Sequence, residues 1–131
     1  MKEAFEFYLP VRLIFGPGKA ETLGKEAARY GKKALIVTGR SSTKKSGLLN
    51  RAVKLLEKEG VQADIFDKAE PNPLASTVRK GAEMAKSQKS QVILGLGGGS
   101  IMDCAKAIAF SAWWRISSFS KLGGCLCPDT F

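Results

Sequence analysis

Residues 91–106 read QVILGLGGGSIMDCAK, and this stretch decides the fold. A short apolar run, residues 91–96, leads directly into three consecutive glycines and Ser100, after which apolar residues recur at helical spacing from Ile101 to about Phe110. A continuous apolar run of this length is typical of a strand that is buried on both faces, as in a parallel sheet. The stretch therefore predicts a strand, a glycine loop and a helix in succession.

The same alternation extends back along the chain. The pattern predicts, in order, helix 19–30, strand 34–38, a helix that begins near Leu48 and ends at Gly60, strand 61–66, a helix that begins near Leu74, strand 91–96 and helix 101–110. The helical stripes expected to face the sheet are Ala20, Leu23, Ala27 and Tyr30, then Leu48, Ala52, Leu55 and Leu56, then Leu74, Val78, Ala82 and Ala85. This order predicts an α/β fold, a Rossmann-like doubly wound parallel sheet.

The two ends of the chain differ from this pattern. Apolar residues alternate from Phe5 to Phe15, which predicts an N-terminal β-hairpin over residues 4–15. After Phe110 the composition changes abruptly and no periodicity fits. We therefore predict a dinucleotide-binding domain over residues 1–110 and an atypical tail, disordered or encoded out of frame, over residues 111–131.

Composition restricts the classes of function. The chain has 131 residues, 44% hydrophobic and 25% charged, which suits one globular domain. It has a formal net charge of +9, three cysteines and no histidine. The basic excess favours phosphate-bearing ligands, and the lack of imidazole argues against a catalytic transition metal held by these residues. With no export signal or membrane-spanning run, we expect a cytoplasmic protein with no membrane partner.

The glycine loop predicts a phosphate cradle. Gly97, Gly98 and Gly99 allow backbone N–H groups to approach an anion at the positive N-terminus of a helix. An alternative explains part of the motif: Ser100 and Asp103 fit a capping box, in which they only satisfy helix amides. The loop is neither a standard dinucleotide fingerprint, which needs an acid about 20 residues later, nor a Walker A loop, which needs a Lys after the glycines.

A second loop is predicted to reach the same crevice. Gly39, Arg40, Ser41 and Ser42 follow strand 34–38, and parallel strands end at one edge of the sheet. This loop has no acid to accept from the ribose hydroxyls of NAD, whereas a guanidinium and two hydroxyls suit a 2′-phosphate. We therefore expect NADP rather than NAD. Asn72, in the turn after strand 61–66, could reach the same ligand or simply start a helix.

With these motifs in place, the chain resembles the N-terminal, cofactor-binding part of the iron-containing, or group III, alcohol dehydrogenases. The resemblance covers residues 5–110, and its most specific part is GGGSIMDCAK at residues 97–106, similar to the family's GGGSxxDxAK. It implies NAD or NADP binding, with Gly97, Gly98, Gly99 and Ser100 at the pyrophosphate and Asp103 near the nicotinamide. It also implies that Gly39 lies where NAD-preferring members often carry Asp.

The resemblance stops before the family's metal site. In the family, an Asp and three His in a C-terminal helical domain bind iron or another divalent metal, and this chain contains no histidine. We therefore expect a truncated dehydrogenase, an NADP-binding domain with no metal site and no catalytic residues of its own, inactive alone. Exposed apolar surface and an edge strand predict a homo-oligomer.

Two other interpretations stay open. Within enzymes, the related glycerol dehydrogenase and dehydroquinate synthase branch also has a triple-glycine loop and a metal in a second domain. Outside enzymes, the sequence pI of about 9.7 suggests a basic nucleic-acid-binding domain. No zinc site or recognition-helix signature supports that interpretation, so nucleic acid is not the expected partner.

Overall fold

The computed structural model describes residues 11–113. Among these residues the first element is a 3₁₀ helix, Lys19–Thr22. The elements that follow are α1 Leu23–Ala28, β1 Lys33–Gly39, α2 Ser42–Lys45, α3 Leu48–Lys58, β2 Gln62–Ala69, α4 Ala75–Ser87, β3 Val92–Leu96 and α5 Gly99–Trp113. Within residues 11–113 no helix has the length and hydropathy needed to cross a membrane.

The three strands form one parallel sheet in the order β2-β1-β3. Strand β1 lies in the middle and is buried from Ala34 to Thr38, which explains its unbroken apolar run. Its register with β2 shifts between Val37 and Gly39, so that Gly39 pairs with Ala69, while on the other side Thr38 pairs with Leu96. The ends of all three strands thus meet at one edge.

Helices cover both faces of the sheet. On one face Leu35 and Val37 pack in a core with α4 and α5, and on the other Ala34 and Ile36 pack with α1 and α3. Successive side chains of a strand point to opposite faces, so one central strand supplies both cores. The predicted Rossmann-like, doubly wound α/β class is confirmed.

Several predicted inward-facing residues are exposed. Tyr30 follows α1, which ends at Ala28, and its side chain is exposed. Leu74 precedes α4 in extended conformation and is also exposed. In α3 the buried stripe is Leu49, Ala52 and Leu56, so Leu48 lies at the margin. These predictions were wrong because periodicity does not fix where a helix begins or which edge of its stripe meets the sheet.

The predicted N-terminal hairpin is described only in part, because residues 1–10 lie outside the described residues. Residues 11–15 form no strand. Arg12 Nη1 donates to Glu26 Oε2 of α1 at 2.8 Å, while Val11, Leu13 and Phe15 are exposed. For these five residues the hairpin prediction needs correction, because an alternating pattern does not by itself supply the backbone hydrogen bonds that define a strand. The predicted tail boundary at residue 110 stays a prediction, and α5 continues to Trp113.

Gly24 allows α1 to lie directly against α3, which leads to a stability prediction. A Cβ atom at position 24 would lie 2.1 Å from the carbonyl oxygen of Leu55. We expect Gly24→Ala to lower the free energy of unfolding by about 1–3 kcal/mol, the usual cost of overpacking, because backbone must move. Urea denaturation measures the change. Gly99→Ala is the matched control, since a Cβ there meets nothing within 4 Å; equal midpoints for the two variants would contradict the prediction.

Candidate cofactor-binding site

A cleft of about 560 Å³ opens at the carboxyl edge of the sheet. Its walls come from the ends of β1 and β2, the loops that follow them, and the glycine loop with the first turn of α5. The lining residues are Gly39, Arg40, Ser41, Ser42, Ala69, Glu70, Pro71, Gly98, Gly99, Ser100 and Ile101. The structure therefore brings together the two loops that the sequence singled out, at the edge where open α/β sheets bind ligands.

The three glycines of the loop differ in what requires them. Gly97 has φ +154°, and a Cβ there would lie 2.8 Å from Cγ1 of Ile101. Only glycine fits that position. Gly98 and Gly99 have no such constraint, because a Cβ at either would meet nothing within 4 Å. They border open space in the cleft, so the room that two missing side chains leave is available to a ligand.

The N-terminus of α5 borders this space through Gly99 and Ser100. The carbonyl oxygen of Gly98 accepts from the amides of Ile101 at 3.0 Å and Met102 at 3.1 Å, which makes Gly98 the N-cap residue. Ser100 lies inside the first turn, so the alternative in which Ser100 caps the helix is wrong. Within residues 11–113 the amides of Gly99 and Ser100 have no acceptor. Unpaired amides at a helix N-terminus suit a phosphate oxygen.

The loop after β1 supplies the cleft with a cation. Arg40, Ser41 and Ser42 are exposed and line it, and Gly39 is partly buried beneath them. The neighbouring Lys44 forms an ion pair with Asp67 of β2. The Lys44 ammonium donates to Asp67 and holds the pKa of that carboxyl below its ordinary value, despite some opposing desolvation. Of the basic residues at positions 40–45, only Arg40 borders the cleft.

Two buried threonines lie beneath this loop. Thr38 Oγ1 donates to the carbonyl oxygen of Leu96 at 3.1 Å, and the hydroxyl oxygens of Thr38 and Thr43 are 2.5 Å apart. A hydroxyl has one proton, so Thr43 is the donor to Thr38. Both side chains are almost fully buried, at 0% and 5% exposure.

Sequence reasoning missed one cleft residue of consequence, Glu70. Strand β2 runs to Ala69, beyond the predicted end at residue 66, so Glu70 lies at the sheet edge. Thr77 Oγ1 donates to Glu70 Oε1 at 2.8 Å. The pKa of the Cys104 thiol in α5 is raised, mainly by burial and secondarily by the charge of Glu70. The available signal was an acid directly before the turn Pro71-Asn72-Pro73.

The remaining predicted site residues do not line the cleft. Asn72 is exposed in the turn after β2, with φ +52°. Asp103 is exposed on α5, and its Oδ1 is 3.9 Å from Lys106 Nζ. Gly97 sets the conformation of the loop through its φ of +154° but does not line the cleft. Within residues 11–113 no group of three or more His, Cys, Asp or Glu side chains could hold a metal ion.

The parallel sheet and the glycine loop at a helix N-terminus define a Rossmann-like α/β unit with a candidate phosphate site at its carboxyl edge. A sequence profile described as iron-containing alcohol dehydrogenase matches residues 10–123. The chain belongs to the iron-containing alcohol dehydrogenase family, as its resemblance predicted.

Individual relatives agree with this assignment. The chain is 43% identical over 105 residues to NADH-dependent butanol dehydrogenase B of Clostridium acetobutylicum, covering 80% of this chain and 27% of that protein. It is 40% identical over 117 residues to alcohol dehydrogenase 4 of Saccharomyces cerevisiae, covering 86% and 29%. The crystal structure of NADH-dependent butanol dehydrogenase A from Thermotoga maritima superposes with a TM-score of 0.81 at 37% identity, covering 86% and 29%. The chain spans less than a third of these relatives.

Proposed function

We propose that this chain binds a nicotinamide dinucleotide in the cleft, as its part in hydride transfer between an alcohol and an aldehyde. One observation carries the proposal: the glycine loop and the loop after β1 border the same cleft. A dinucleotide carries a pyrophosphate and a ribose in close succession, so it needs two adjacent loops of this kind. The bound nicotinamide supplies the hydride chemistry.

The pyrophosphate end of the proposal rests on the start of α5. The free amides of Gly99 and Ser100 would donate to phosphate oxygens, and Ser100 lines the same cleft. The helix dipole adds roughly half a positive charge at this point. Because Gly98 and Gly99 present no side chain, a phosphate group can approach the backbone closely.

The ribose end favours NADP in this proposal. Arg40 can form a bidentate contact with a 2′-phosphate, and Ser41 and Ser42 can donate to its remaining oxygens. Gly39 places no carboxylate there. Several relatives are named as NADH-dependent, and in this chain Glu70 brings a negative charge to the same cleft. The cofactor preference is therefore the sharpest point to test.

The other predicted residues enter the proposal at the margins of the cleft. Asn72 follows Pro71, which lines it, and Asp103 lies one turn into α5, on the side that the family resemblance assigns to the nicotinamide. We propose no catalytic residue in this chain. With no histidine in its 131 residues, we expect it to bind cofactor without oxidising alcohol when expressed alone.

Calorimetric titration of the purified chain with NADP and NAD in parallel tests the proposal. We expect saturable binding of both, tighter for NADP. No heat with either cofactor would overturn the cofactor proposal, and tighter NAD binding would overturn the preference alone. Titration with random duplex DNA at several salt concentrations is the counter-test: micromolar affinity with a steep negative salt slope would favour the nucleic-acid interpretation.

Association between copies is a further part of the proposal. Val11, Leu13 and Phe15 are 65%, 84% and 89% exposed. Exposed apolar side chains that lie this close together along the chain are stabilised when another chain buries them. Sedimentation velocity at tens of micromolar checks the expectation. Cytoplasmic location and the domain boundary at residue 110 stay predictions.

A further inference from the structure

We propose that Thr38 and Thr43 are positioning residues for the cofactor cleft. Their hydroxyls form a buried chain, from Thr43 to Thr38 to the carbonyl oxygen of Leu96, that holds α2 against the ends of β1 and β3. The inference rests on the proposed function, because it explains how the two cofactor-binding loops are kept at a fixed separation.

Each residue of this hydrogen-bond chain adjoins one of the two loops that border the cleft. Thr38 directly precedes Gly39, Leu96 directly precedes Gly97, and Thr43 directly follows Ser42. Thr38 and Leu96 are already partners in the β1–β3 register. The hydrogen bond between Thr43 and Thr38 attaches α2 to the ends of these two strands, and so fixes the position of Ser41 and Ser42.

Helix α2 needs such an anchor. It has four residues and no side-chain cap at its N-terminus, while at its C-terminus Ser46 Oγ donates to the carbonyl oxygen of Thr43 at 3.2 Å, a bond that does not reach the sheet. Its other tie to the sheet is the ion pair between Lys44 and Asp67, whose side chains are 45% and 39% exposed. An exposed ion pair constrains a loop weakly, whereas a buried, charge-free hydrogen bond in a water-excluded position is costly to break. The buried pair is therefore the stronger tie.

A substitution pair isolates the hydroxyl. Thr43→Val keeps the shape of the side chain and removes the donor, while Thr43→Ser keeps the donor and removes a methyl group. We expect Thr43→Val to weaken NADP binding by about tenfold, the equivalent of one net hydrogen bond, and Thr43→Ser to stay near the parent value. Calorimetry gives both affinities, and unfolding curves verify that each variant folds.

A second probe separates positioning from a general structural effect. Inorganic pyrophosphate is small enough to contact the glycine loop alone, and NMR titration of the Gly98 and Gly99 amides measures its binding. We expect pyrophosphate affinity to be the same in the parent and Thr43→Val. Equal losses for NADP and pyrophosphate, an unchanged NADP affinity, or an equal NADP loss in Thr43→Ser would each overturn the inference.

A measurement without ligand keeps this test separate from that of the proposed function. The Lys45 amide donates to the carbonyl oxygen of Ser41 at 2.9 Å, and the Ser46 amide donates to that of Ser42 at 3.1 Å. Both bonds belong to α2, so these amides report on it directly. We expect their hydrogen exchange to be about tenfold faster in Thr43→Val and unchanged in Thr43→Ser. If the parent binds no cofactor, the proposed function fails, while unchanged exchange would reject the anchor itself. Should Thr43→Val not fold, Thr43→Ala serves in its place.

Discussion

Gly98→Asp is expected to abolish dinucleotide binding while the chain stays folded. The position has open space in front of it, since a Cβ would meet nothing within 4 Å, and its φ is not positive. Asp also suits the N-cap position that Gly98 occupies at the start of α5, so we expect stability to be unchanged or raised by a few tenths of a kcal/mol. Any loss of binding then has an electrostatic cause.

The size of the loss follows from charge. The carboxylate that Gly98→Asp introduces would compete for the Ser100 amide, one of the two amides that the proposal assigns to pyrophosphate oxygens, and would lie beside the phosphate. Like charges about 4 Å apart repel by roughly 4 kcal/mol at the effective dielectric constant near a protein surface. After salt screening, we expect affinity to fall by at least about 100-fold, which corresponds to about 2.7 kcal/mol.

Gly98→Asn is the matched control for this prediction. Asn has nearly the same volume as Asp and is an equally good N-cap residue, but it carries no charge. Calorimetry with NADP should show a moderate loss for Asn and no measurable binding for Asp. Equal affinities in the two variants would mean that no phosphate lies at this loop, and full affinity in Gly98→Asp would place the cofactor elsewhere.

The parts of this site that the sequence predicts are those fixed by local chemistry and parallel-sheet topology. The apolar run Ala34–Thr38 indicates a strand buried on both faces, and the structure buries all five residues. The glycine loop follows its strand directly. Once both strands are parallel, their following loops must share one edge of the sheet, so the meeting of Arg40 with Ser100 in one cleft needs no knowledge of side-chain contacts.

The parts that sequence reasoning missed depend on register and on packing. Glu70 reaches the cleft because β2 runs to Ala69 across a shift in its register with β1, and no residue pattern encodes that shift. The contact between Thr38 and Thr43 depends on a four-residue helix within what reads as a polar loop. The alternative in which Ser100 caps α5 failed for a related reason, because a capping box is compatible with a helix that begins one or two residues earlier.

Gly39→Asp is expected to reverse the cofactor preference from NADP to NAD. A Cβ at position 39 would lie 3.7 Å from Ile101 Cδ1 and 3.8 Å from the Ala69 carbonyl oxygen, which are ordinary contacts, so the backbone accepts a side chain. The new carboxylate would accept hydrogen bonds from the adenosine ribose hydroxyls of NAD and would repel the 2′-phosphate of NADP beside Arg40.

Both effects raise the affinity for NAD relative to that for NADP. Hydrogen bonds to a charged group contribute about 1.5–3 kcal/mol, so the ratio of NAD to NADP affinity should rise by about 10- to 100-fold. Gly39→Asn controls for size and hydrogen bonding without charge, and parallel calorimetric titrations of both variants with NAD and NADP measure the ratio. An unchanged ratio in Gly39→Asp would show that the ribose does not lie at the end of β1. An equal change in Gly39→Asn would show that the charge is not what selects the cofactor. A reversal confined to Gly39→Asp would instead mean that one missing carboxylate at this strand end decides which dinucleotide the cleft prefers, even though Glu70 directly follows the neighbouring strand β2.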